Sequence, residues 1–154
     1  MAEVMSRGTL LEMAKAIEQK AQSFYAGLAS KFKTYEKTFA KFSEDERVHA
    51  ETYARLLTEK GALASERDRE MAISHIKGLE SMGTLQFLKT VAGASKVDDL
   101  RSAVELAQKL EQNTLMFYQN LLLYLAGEDR ETVHKIIDVE YSHLLQLSRI
   151  DYFE

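Results

Sequence analysis

FSEDERVHAETY, residues 42–53, is dense in charge yet has an aromatic residue at each end. Its meaning depends on where Glu46 and His49 point. On a helix, successive residues turn by about 100°, so positions three, four and seven apart share a face. Counted from Glu46, the residues Phe39, Phe42, His49, Tyr53, Leu56 and Leu57 fall within about 80° of one direction. Glu44, Glu51 and Arg55 fall on the opposite side. Glu46 and His49 therefore face a core, and the charges that make the stretch look polar face water.

The same helical period extends through the chain. Proline is absent, so nothing forces a long helix to break, and the chain reads as all-α. Four segments are predicted, over about 7–32, 34–60, 97–126 and 129–152. Each runs for about 33–45 Å at the helical rise. Gly61 and Gly127 follow the second and third, where C-terminal caps belong. A few residues join the first helix to the second and the third to the fourth, so each pair forms an antiparallel hairpin, 7–60 and 97–152. The connection 61–96 is too long for adjacent up-and-down helices. It carries its own amphipathic stretch, SERDREMAISHIKGLESM. Two hairpins and one long crossover predict the ferritin-like form of the four-helix bundle, within a single domain over 1–154.

The hairpins are near-copies. EMAKAIEQKAQSFY (12–25) aligns with ELAQKLEQNTLMFY (105–118), with Glu18 on Glu111 and Tyr25 on Tyr118. A similar shift places Glu46 on Glu140, His49 on His143 and Arg55 on Arg149. Glu140 and His143 face inward among Val133, Ile136, Leu144 and Leu147. Glu18 shares a face with Leu11, Ala14, Ala21 and Tyr25, and Glu111 with Val104, Ala107, Thr114 and Tyr118. Glu12 and Glu105 lie about 120° from the inward Glu and belong to solvent.

Four carboxylates and two imidazoles thus converge on one core. A buried ion costs several kcal/mol, and carboxylates side by side cost more. No inward Lys or Arg is available to pair with them. Two divalent cations would balance four carboxylates, with imidazoles completing the ligand set. Glu-x-x-His on two helices with one Glu on each of two others is the di-metal carboxylate pattern of ferritin-like bundles. Oxygen and nitrogen ligands suit iron or manganese, with zinc as a substitute.

The order Glu18, Glu46-x-x-His49, long crossover, Glu111, Glu140-x-x-His143 resembles the rubrerythrin branch of the ferritin-like superfamily. The six-residue gap between Glu18 and Tyr25 in EQKAQSFY also fits that branch. The resemblance implies two irons bridged by Glu46 and Glu140. Glu18 and His49 would belong to one iron, Glu111 and His143 to the other. The expected activity is oxidation of Fe(II) by oxygen or hydrogen peroxide. The alternatives are an iron-storage or detoxification subunit, or a bundle with a structural metal and no catalysis. This sequence departs from the family in two ways. The chain has no Cys, hence no rubredoxin domain, so an external electron donor is implied. Full rubrerythrins also carry one more Glu a turn beyond the third-helix ligand, where Thr114 stands here.

Tyr25 and Tyr118 are candidates to hydrogen-bond a ligand carboxylate across the bundle or to relay an electron. Tyr53 stands in the same relation to Glu46, but Leu147 occupies the matching place after Glu140. His75 and His134 are expected to be surface or structural. The balance of 20 basic against 24 acidic residues, net charge −4, shows no basic stripe for nucleic acid. No apolar run reaches the roughly 20 residues of a membrane span, and MAEVMSRGTL has no signal-peptide core. A cytoplasmic setting is expected. Because each hairpin presents a face resembling its own partner, a homodimer is expected too, with a domain swap through the crossover as one form.

Overall fold

In the computed structural model the described residues are 7–58, 74, 77, 78 and 97–150. They contain four long helices and no strand: α1, Arg7–Lys31; α2, Glu36–Thr58; α3, Leu100–Leu121; and α4, Gly127–Ser148. A 3₁₀ turn at Lys33–Tyr35 links α1 to α2, and another at Leu122–Tyr124 trails α3. The architecture is the expected all-α four-helix bundle. Apart from 74, 77 and 78, the crossover 61–96, with most of its amphipathic stretch and His75, lies outside the described residues. So do 59–60 and 151–152, at the ends of the second and fourth expected helices.

α3 is shorter than the 97–126 its periodicity predicts, and the reason is local. Asp99 caps it, accepting the Ser102 N–H at 2.8 Å and the Ser102 hydroxyl at 2.9 Å. At the other end the chain tightens into the 3₁₀ turn, and Gly127 takes φ +59°, a left-handed conformation that a Cβ disfavours. Arg130 donates to the Leu122 carbonyl across this corner. Val97 and Leu125 nevertheless stay buried beyond the helix ends. Apolar spacing records burial, and burial continues past the last helical turn.

The inward stripes of all four helices meet in one core, running from Leu10 and Leu11 through Phe39, Phe42 and Leu110 to Val133 and Leu147. Outward charges are laced along the helices, as Arg47 shows by bonding Glu44 and Glu51 on its own helix. Phe39 is wholly buried and stacks on Tyr25 with ring centroids 6.3 Å apart. Phe39→Ala should destabilise the fold by about 3–5 kcal/mol, seen as a lower urea midpoint at unchanged slope. No helix among the described residues is long and apolar enough to cross a membrane.

Candidate metal centre

Glu18, Glu46, Glu111 and Glu140 sit near the midpoints of α1, α2, α3 and α4. Each is at most 1% exposed; His143 is fully buried and His49 nearly so. Glu12, Glu105 and His134 are exposed, on the sides their helical phase assigns. Thr114, also buried, is the one remaining polar residue of the core among those described, which therefore holds no Lys or Arg.

Facing oxygen and nitrogen atoms form two overlapping sets. One comprises Glu18, Glu46, His49 and Glu140; the other comprises Glu46, Glu111, Glu140 and His143. Within each, one donor atom per residue lies within 4.8 Å of all the others. Glu46 and Glu140 belong to both. Glu140 divides its oxygens between them, with Oε1 3.0 Å from His49 Nδ1 and Oε2 3.3 Å from His143 Nδ1. The structure thus brings together all six residues that the two hairpin motifs single out.

The two tyrosines cross the bundle reciprocally. Tyr25 on α1 donates to Glu111 Oε1 on α3 at 2.6 Å, and Tyr118 on α3 donates to Glu18 Oε1 on α1 at 2.5 Å. Burial, then the neighbouring carboxylates, hold both phenols well above their usual pKa, so each remains a donor. Tyr53 packs beside Tyr118, ring centroids 5.5 Å apart, and its buried hydroxyl has no hydrogen bond of ordinary geometry.

Without a metal, protons have to relieve the crowding. Burial and then the charge of Glu140 push Glu18 up to about 7. Burial, again followed by Glu140, raises Glu46 and Glu111 well above the carboxylate range. Glu140 goes the other way. Burial opposes its charge, but the close approach of Glu111 and His143 and the hydrogen bond from His49 outweigh that and hold it well below the usual value. Burial likewise opposes charge on the two imidazoles. The hydrogen bond to Glu140 and the close Glu18 carboxylate nonetheless push His49 up to about 10. The hydrogen bond to Glu111 and the close Glu140 carboxylate push His143 up to about 11.

Even so, Oε2 of Glu18, Oε1 of Glu46, Oε2 of Glu111 and Oε2 of Glu140 are buried without a hydrogen bond. A buried acceptor left unsatisfied costs about 1–3 kcal/mol, more if charged. One orphaned oxygen on every carboxylate, with two imidazoles beside them, fits a pair of divalent cations in both donor number and donor type.

One residue of the site escaped the helical wheel. Asp45 Oδ2 accepts from His143 Nε2 at 2.9 Å, on the ring edge opposite the cluster. Its phase is about 100° from Glu46, which groups it with the solvated charges. A signal was present in the hairpin alignment, where Asp45 faces Val139, an acid against an apolar residue directly before the shared Glu.

A family model for rubrerythrin matches residues 9–150. Among curated proteins, none matches the chain. A solved structure from Thermotoga maritima, described as a candidate ferritin-like diiron-carboxylate protein, superposes with a TM-score of 0.67 at 22% identity. The match covers 93% of this chain and 92% of that one, and at such identity it speaks for the ferritin-like fold alone. With the family model spanning nearly the whole chain and both hairpins, this protein belongs to the rubrerythrin family.

Proposed function

We propose that the cluster holds two iron ions and that the protein oxidises Fe(II) with oxygen or hydrogen peroxide. The observation that carries this reading is the pair of donor sets sharing Glu46 and Glu140, with an unsatisfied oxygen on each carboxylate. In this reading Glu18 and His49 hold one ion, Glu111 and His143 the other, and the two shared carboxylates hold both. Manganese or zinc could occupy the same donors. Two Fe(II) ions, when bound, supply one electron each, enough with two protons to reduce a peroxide O–O bond to water.

The chain's own residues do the positioning. Tyr25 and Tyr118 steady Glu111 and Glu18 through their hydrogen bonds. Phe42 lies against His143 with centroids 4.2 Å apart, and Phe39, Tyr25 and Tyr118 pack the surrounding core against water. The chain has no Cys to carry electrons inward, so an external donor reduces the centre. We further propose a cytoplasmic homodimer, in plain or swapped form. Light scattering that finds a mass near 17.6 kDa at micromolar concentration excludes both forms.

Anaerobic purification followed by metal analysis tests the central proposal. The expected result is two irons per chain and a new near-ultraviolet absorption when oxygen or peroxide is added. Two bound ions whose spectrum oxygen and peroxide leave unchanged would mean a structural metal and defeat the redox reading.

A further inference from the structure

The two halves of the cluster are built from copies of one hairpin, yet they are not equally prepared. Around His143 every freedom of the ring is restrained. Nδ1 faces Glu111 at 3.2 Å, and Glu46 and Glu140 at 3.3 Å each. Nε2 donates to Asp45 at 2.9 Å, and Lys41 pairs with Asp45 from one helical turn away. Phe42 covers one ring face at a centroid distance of 4.2 Å, and Tyr25 meets the ring edgewise at 6.2 Å.

His49 is held differently. Among the described residues its ring makes one hydrogen bond, to Glu140, and its other close carboxylates, Glu18 and Glu46, belong to the cluster itself. The positions equivalent to Asp45 and Phe42 are Val139 and Ile136, which offer neither a carboxylate nor a flat face. Lys135 stands where Lys41 does, but no acid follows it at position 139.

A histidine that ligates a metal usually donates its second N–H to a carboxylate or carbonyl. That partner fixes the tautomer, orients the ring and raises its basicity, and its loss typically weakens metal affinity 10–100-fold. Among the described residues one half of this cluster has such a partner, and at the equivalent position the other half has Val139. The geometry points to two inequivalent metal sites: the half built on Glu111 and His143, with Asp45 as positioning residue, takes its divalent cation first and more tightly than the half built on Glu18 and His49. This inference rests on the two-metal reading above. It adds an order of loading and a residue responsible for it.

The test uses Co(II) as an anaerobic probe, titrated into the metal-free full-length chain by calorimetry and followed by its visible absorption. Wild type should bind two ions in two steps whose constants differ by about tenfold or more. Asp45→Val, which copies Val139, should loosen the first step by about 10–100-fold and draw the two steps together. Asp45→Asn keeps the shape and an acceptor oxygen but loses the charge, and should fall between. The reciprocal Val139→Asp should tighten the second step. Proton NMR of the one-equivalent complex should show paramagnetically shifted signals from the His143 ring, and Asp45→Val should weaken them. Circular dichroism checks that each variant keeps its helices. Two equal steps in wild type, or a first step that Asp45→Val leaves unchanged in a folded protein, overturns the inference while sparing the two-metal reading. Failure of wild type to bind two ions overturns both.

Discussion

Glu46→Ala combined with Glu140→Ala should abolish binding of two metal ions, because both carboxylates common to the two donor sets are removed. Each half then keeps one Glu and one His, too few donors for a stable two-metal centre. Elemental analysis should find fewer than two ions per chain, and full occupancy in the double variant would refute the ligand assignment. The same variant should behave unexpectedly when metal-free. Burial and mutual repulsion raise Glu46, and Oε1 of Glu46 and Oε2 of Glu140 lack hydrogen bonds. Replacing crowded buried carboxylates with apolar groups is often neutral or stabilising by about 1–4 kcal/mol. The metal-free double variant should therefore melt no lower than metal-free wild type, although some stabilisation is offset by the cavity left behind and by lost partners of His49 and His143.

The second large effect is a reversal of pH dependence on metal binding. Glu18 rises from 4.5 to about 7 in the folded, metal-free protein, so the fold binds this proton more tightly than the unfolded chain does. Its stabilising contribution is complete below pH 4.5 and is lost as pH rises through 7. His49 and His143 act in the same direction, from 6.5 to about 10 and about 11, so their contributions are complete below pH 6.5 and are lost progressively as pH rises towards 10 and 11. Glu140 is shifted downward, and its contribution is lost only on the acid side of the carboxylate range. The melting temperature of metal-free protein should fall steadily between about pH 5 and pH 9. Metal ions must displace these protons, so their affinity increases with pH. At a hundredfold excess over Kd, each ion adds about 2.7 kcal/mol, roughly 10–20 °C for two ions in a chain of this size. Calorimetry with chelator and with Mn(II) under nitrogen measures both slopes. A metal-free melting temperature that rises over that window would contradict the site's electrostatics.

The sequence by itself determined which residues are inside. Helical phase depends only on spacing along one chain segment, and Glu18, Glu46, His49, Glu111, Glu140 and His143 are all buried as their phases require. Repetition of the hairpin added the relation between halves, because copies of one motif on four inward faces have a single core to enter. The absence of Pro allowed helices long enough to place all four Glu near mid-helix.

Tertiary structure decided the partners. The sequence marks Tyr25 and Tyr118 as candidates to bond a ligand carboxylate across the bundle, and the packing selects Glu111 for the first and Glu18 for the second. Spacing along one helix carries no information on the rotation and offset of another, so these pairs are not legible in it. The helix ends were also decided locally, by the Asp99 cap and the left-handed Gly127, where apolar periodicity continues without a helix. Asp45 shows the division most clearly. Its own helix marks it as an edge charge beside Lys41, and only the approach of α4 makes it the anchor of His143. A residue's face follows from its own helix, but what it holds depends on the distance between two helices, which packing of the whole core determines.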